Sequence, residues 1–172
     1  SGRVLRFLQH ETLAMTGIDI DADNVAWCAE NLPFAQFAPV PLLPPTELPP
    51  GAFDLAIAVS VVTHLSEEAH LSWLAELARV IRPGGHALIT KLGDGGAARL
   101  RLGEGEHQIF AASGFVDRPD LVMEGLIGDA TYYRDTFHSD DYVRRNWGAH
   151  FEVLDILTAH VGSQDLVVLR RR

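Results

Sequence analysis

Asp19, Ser60 and His64 stand at the ends of apolar runs, where polar side chains can do chemistry. Asp19 closes the stretch Thr16, Gly17, Ile18, Asp19, and a carboxylate at a strand end can accept both hydroxyls of a ribose in bidentate fashion. The competing role of helix N-cap suits Asp21 or Asp23 better, because these directly precede the next helical pattern. Ile20 follows Asp19 and reads either as an apolar face for a flat base or as ordinary core. Ser60 ends the run FDLAIAVS, and open α/β sheets bind ligands outside the carboxyl ends of their strands. His64 is a titratable group able to take a proton from a nucleophile, and equally a packing or capping histidine at a helix entry.

Other constellations are excluded by spacing. The eight histidines are scattered without His-x-x-x-His helical spacing, and Cys28 is the lone cysteine, so no metal site is expected. Asp140 and Asp141 could meet magnesium but read more simply as the acids of a helix N-terminus. No Gly-x-Ser-x-Gly elbow is present for a serine nucleophile.

The elements that must position these residues alternate strand with helix. Residues 16–20 read as a strand end and 23–31 as a helix, followed by a stiff Pro-rich connection over 39–50. Residues 53–60 form an almost uninterrupted apolar run, as expected of a parallel strand covered on both faces. Ser66 can cap the next helix, whose stripe of Leu74, Leu77, Ala78 and Ile81 ends at Pro83, Gly84 and Gly85. Residues 86–92 return as a strand, and strand, helix, strand in this order implies a right-handed parallel unit. Residues 93–105 read as a glycine-rich loop, 106–113 as a short helix and 139–147 as a helix capped by Ser139. Residues 151–158 and 165–169 close the chain as an antiparallel hairpin about Gly162 and Ser163.

Composition bounds the function. The 172 residues, 47% of them apolar, suit one domain spanning 1–172 with a core that needs no staples. Fourteen basic against 23 acidic residues give a net charge of −9, which argues against a grip on phosphate backbones, so no nucleic-acid partner is expected. One cysteine allows no internal disulfide and fits a reducing compartment, so a cytoplasmic location is expected. No apolar run approaches the ~18 residues of a membrane helix, so no membrane partner is expected. Composition is silent on oligomeric state.

The run FDLAIAVSVVTHL, the junction from Arg79 to Gly85 (RVIRPGG) and the strand HALITKLG together resemble the second half of the class I S-adenosylmethionine-dependent methyltransferases. TGIDID with NVAWCAENL resembles that family's acidic second strand and helix. SGRVLRFL is similar to the tail of its glycine-rich loop, and QDLVVLRR to its last strand. The resemblance implies a Rossmann-like α/β fold with a mostly parallel sheet and a C-terminal antiparallel hairpin. It implies S-adenosylmethionine as cofactor, with Gly2 as the last glycine of the loop, Asp19 on the ribose, Ile20 against the adenine and Ser60 toward the methionine portion. The acid that often takes the adenine amino group is absent from Leu43, Pro44, Pro45, Thr46 and Glu47, which leaves Thr46 or backbone groups for that task. Family members begin with a strand that this chain lacks, so a first strand missing from the chain is expected; Ser1 and Gly2 as a cloning remnant is the competing explanation.

The stretch from Ser60 to Leu65 resembles small-molecule methyltransferases, in which this histidine lies near the acceptor. That implies His64 as general base for an oxygen or nitrogen nucleophile, in an enzyme with a small-molecule substrate. Residues 93–147 are longer than an ordinary connection and are expected to form an acceptor-binding cap. Tyr132, Tyr133, Phe137, His138 and Trp147 gather there, as cap core or as site lining. The alternatives are a non-catalytic methyltransferase-like module of a larger protein and, more remotely, a nicotinamide-dependent oxidoreductase.

Overall fold

Helix α2 (Glu67–Val80) follows from local chemistry: the Ser66 side chain accepts from Ala69 N–H, Glu67 and Glu68 occupy the first turn, and Arg79 the last. Its buried face carries Ala69, His70, Leu74 and Ala78. The structure is a computed structural model that describes residues 2–99, 102–120 and 133–172. The chain divides into two compact units, residues 1–47 and 48–172.

In the first unit, strand β1 (Thr16–Asp19) pairs in parallel with β2 (Gln36–Pro39), and helix α1 (Ala22–Asn31) connects them. Gly17 is required at the pairing, since a Cβ there would lie 2.6 Å from the Phe37 ring. Strand β2 occupies residues just before the expected Pro-rich connection and takes in Pro39, so the irregular stretch begins one residue later than the proline pattern suggests.

In the second unit, β3 (Phe53–Ala58) pairs in parallel with β4 (Ile81–Lys91), and α2 crosses between them as expected. Strand β4 starts sooner than its apolar pattern, at Ile81, with a register shift where Pro83, Gly84 and Gly85 interrupt the ladder. Strands β7 (Phe151–Val161) and β8 (Gln164–Arg171) form the expected hairpin, and β8 pairs antiparallel with β4, giving the order β3-β4-β8-β7. Among the described strands, parallel pairing is found between β1 and β2 and between β3 and β4, with one isolated parallel bridge from Leu92 to Phe137. The core lies where Ile81, Ala87 and Ile89 of β4 and Val167 and Leu169 of β8 meet Leu74, Trp147 and Phe151, all nearly or fully buried.

Between β4 and β7 the structure holds more than the sequence suggests. Helix α3 (Asp94–Arg99) occupies part of the expected loop, and α4 (Glu104–Ser113) ends on left-handed Gly114. Strands β5 (Phe115–Pro119) and β6 (Arg134–His138) pair antiparallel, and neither was expected. Helix α5 (Asp140–Asn146) is capped by Ser139, as its pattern predicts. No described helix is long and apolar enough to cross a membrane.

Candidate active site

In the first unit, Asp19 ends β1 and lines a small cleft with Gly2, Gly17, Asn24 and Phe37. The cap of α1 is Asp21, whose carboxylate accepts from Asp23 N–H at 2.9 Å and from Asn24 N–H at 3.1 Å. Asp19 is thereby released from capping; among the described residues its side chain takes one bond, Oδ1 accepting from Asp21 N–H at 3.1 Å. The other oxygen keeps its lone pairs for a ligand, as a ribose diol requires. Gly2 has the left-handed φ of 57° and packs its bare Cα against Leu32, where any Cβ would collide. Gly2 and Asp19 therefore share one small cleft, and a carboxylate there has the chemistry to accept from a ribose diol. Ile20 is half-buried and does not line that cleft. Thr46 is buried.

In the second unit, Ser60 follows β3 with φ of 56°, a left-handed conformation that a residue with a Cβ adopts only when its surroundings hold it. Its N–H donates to Thr90 Oγ1 at 2.8 Å, the Thr90 hydroxyl donates to Gln164 Oε1 at 2.5 Å, and Gln164 Nε2 donates to Ser60 Oγ at 2.8 Å. Thr90 and Gln164 were not anticipated, because one lies inside an apolar strand and the other beside a hairpin turn.

His64 sits in a single 3₁₀ turn, Val62–His64, with the side chain one-third exposed. Its Nδ1 is buried, without a hydrogen-bond partner among the described residues, and faces Asp120 Oδ2 at 3.8 Å. The β5–β6 hairpin brings the acid there: Asp120 N–H donates to Tyr133 C=O at 3.1 Å, and Thr136 Oγ1 donates to Leu65 C=O at 2.6 Å. The Tyr133 ring meets His64 edge-on at 6.4 Å. Asp135 completes a cluster in which the ligand atoms of His64, Asp120 and Asp135 lie within 4.8 Å of one another. A cation already serves that cluster, since Arg118 Nε lies 3.4 Å from Asp135 Oδ2. Sequence spacing could not reveal this set, because only the hairpin joins its members.

Of the aromatic residues expected in the cap, Phe137, His138 and Trp147 are fully buried and belong to the core, whereas Tyr132 lies outside the described residues. His138 packs edge-on to His70 at 4.9 Å, amid Phe115, Tyr142 and Trp147. Burial pushes His70 down to about 4, and burial, with the charges of His70 and Lys91, holds His138 well below the usual imidazole range. Burial and the Glu67 carboxylate raise the Tyr142 phenol. Asp140 begins α5 and pairs at 2.8 Å with Lys91, a buried cation also held by Asp165 at 2.9 Å, so Asp140 serves the fold.

The family model described as "Methyltransferase domain" matches residues 1–89. A SAM-dependent methyltransferase of Methanosarcina mazei superposes with a TM-score of 0.71 at 16% identity, over 99% of this chain and 87% of that one. A second, from Mesorhizobium loti, gives 0.71 at 16% identity over 99% and 86%. The 1,6-didemethyltoxoflavin-N1-methyltransferase of Burkholderia thailandensis, solved with 1,6-didemethyltoxoflavin and S-adenosylhomocysteine bound, gives 0.64 at 14% identity over 99% and 66%. No curated protein matches the sequence. With its family model covering more than half the chain and its fold shared across nearly all of it, the protein belongs to the methyltransferase-domain family of class I, S-adenosylmethionine-dependent enzymes.

Proposed function

We propose that the protein transfers a methyl group to an oxygen or nitrogen nucleophile of a small-molecule acceptor, with His64 as general base. The observation that carries this reading is the one-third-exposed imidazole of His64, its Nδ1 turned toward Asp120. A carboxylate on the Nδ1 side favours the tautomer with its proton there, leaving Nε2 as the proton acceptor. S-adenosylmethionine supplies a methyl carbon on a sulfonium sulfur, which keeps the bonding pair as the acceptor's lone pair closes on that carbon. Asp19 and Gly2 hold the nucleoside, and Ser60 faces the amino-acid portion. His64 Nε2 takes the proton that a hydroxyl or amine loses, and alignment of the reacting atoms supplies most of the remaining rate.

The small-molecule class is supported by the Burkholderia enzyme, which holds a small acceptor on the same fold, and by the net charge of −9, which disfavours nucleic acid. Residues 93–147 act as the acceptor-binding cap, and Tyr133 beside His64 gives it an aromatic wall. The cytoplasm, where the cofactor is made and thiols stay reduced, is the proposed location.

The test is to supply methyl-labelled S-adenosylmethionine with the metabolite, RNA and protein fractions of a cell extract. Label is expected in the low-mass fraction, lost on His64→Ala. Label carried into RNA or protein alone would overturn the assignment.

A further inference from the structure

The Ser60, Thr90, Gln164 ring has a direction. Thr90 Oγ1 accepts from Ser60 N–H, so its own proton goes to Gln164 at 2.5 Å, a separation that suits O–H···O and identifies the facing amide atom as oxygen. The amide nitrogen then faces Ser60 Oγ and donates to it at 2.8 Å. An oxygen that accepts from inside the ring turns its proton outward, and hydrogen bonds in such a chain polarise one another in the same sense. Thr90 is fully buried and Ser60 and Gln164 half-buried, so the ring is shielded at Thr90 and partly exposed at Ser60 and Gln164. It also accounts for the left-handed backbone of Ser60, since the N–H that Thr90 holds and the hydroxyl that Gln164 holds belong to one residue.

We infer that Gln164 is a positioning residue that makes the Ser60 hydroxyl a committed hydrogen-bond donor to the carboxylate of the cofactor's amino-acid portion. This rests on the reading above that Ser60 faces that portion. The choice of group follows from hydrogen-bond type: the α-ammonium carries only donors and the sulfonium offers no ordinary acceptor, so a donor held outward matches the carboxylate alone. Gln164 reaches Ser60 because it opens β8 directly after the Gly162 turn. The terminal hairpin thus takes part in cofactor binding as well as closing the sheet.

Gln164→Glu tests the direction with little change of shape. A carboxylate still accepts from Thr90 but also draws in the Ser60 proton, so the outward donor is lost. Ser60→Gly keeps the left-handed backbone without strain and removes the hydroxyl. Each variant is expected to keep its melting temperature within a few degrees and to weaken S-adenosylhomocysteine binding about tenfold in calorimetry, the scale of one hydrogen bond to a charged group. The double variant is expected to bind no more weakly than Ser60→Gly, because both changes act through one hydroxyl. Affinity for 5′-methylthioadenosine, which lacks the amino-acid portion, is expected to stay unchanged in all three.

Losses that add in the double variant would show that the new charge acts by itself and would overturn the inference. Unchanged binding by Gln164→Glu with weakened binding by Ser60→Gly would overturn the role of Gln164 while leaving Ser60 at the cofactor. Unchanged binding by Ser60→Gly would remove the underlying reading too. An equal loss for 5′-methylthioadenosine would overturn the carboxylate as the recognised group.

Discussion

Replacing His64 by alanine removes the proposed proton acceptor and leaves Asp19, Gly2 and the Ser60 ring untouched. A general base contributes ~10²- to 10⁴-fold, so kcat is expected to fall at least about a hundredfold while S-adenosylhomocysteine affinity stays within about threefold. Steady-state kinetics beside calorimetry separates the two effects; equal loss of cofactor affinity would make His64 a structural residue. Asp120→Asn, which removes the charge facing Nδ1 across 3.8 Å, is expected to lower kcat by about tenfold, with recovery in Asp120→Glu if orientation of the ring is what matters. Asp19 and His64 could be picked out because each ends a recognisable run. Asp120 and Asp135 could not, since they lie in mixed polar sequence and acquire meaning only when the β5–β6 hairpin sets them beside His64.

The elements have their own consequences. Helix α2 and strand β6 bury His70 and His138 in one aromatic cluster, with Ser66 C=O and Asp117 the polar groups acting on His70. His70 stays neutral in the folded protein down to about 4, whereas the unfolded chain protonates it near 6.5. No stability is lost to it above pH 6.5; as pH falls from there toward 4 the unfolded state gains protons that the folded state refuses, at a cost of up to about 3 kcal/mol. Urea unfolding at pH 7.5 and 5 should show this loss, and His70→Phe, which keeps the stack on Phe115, should reduce it; an unchanged pH slope would place the sensitivity elsewhere. The cluster of Lys91, Asp165 and Asp140 ties β4, β8 and α5 together. Asp165→Ala leaves the buried Lys91 with the more exposed Asp140 as its remaining carboxylate and is expected to cost about 3 kcal/mol in the same assay, while Lys91→Met should cost less.

These elements differ in how far local sequence announces them. Helix α2 and the β7–β8 hairpin carry their caps, stripes and turn residues within their own length. Strands β5 (FVDRP) and β6 (RDTFH) show no alternation, and their pairing depends on each other and on the end of β4, where His138 N–H meets Leu92 C=O at 2.8 Å.

At the scale of the whole chain, the family model ends at residue 89 while the fold likeness covers 99% of the chain. The part that the family model matches is therefore where the sequence is most readable: one apolar strand, one capped helix and one acidic strand end suffice to suggest it. The proposed acceptor region is read less well, because its described residues come together only through the pairing of β5 with β6. The central claim, a class I methyltransferase that grips its cofactor through Asp19, is tested most directly by titrating S-adenosylhomocysteine calorimetrically into the 172-residue chain and its Asp19→Ala variant. One site per chain with a Kd on the order of micromolar, weakened at least about tenfold by the substitution without loss of folding, is the predicted result. Equal affinity in the two proteins, or no binding by the folded wild-type chain, would contradict it.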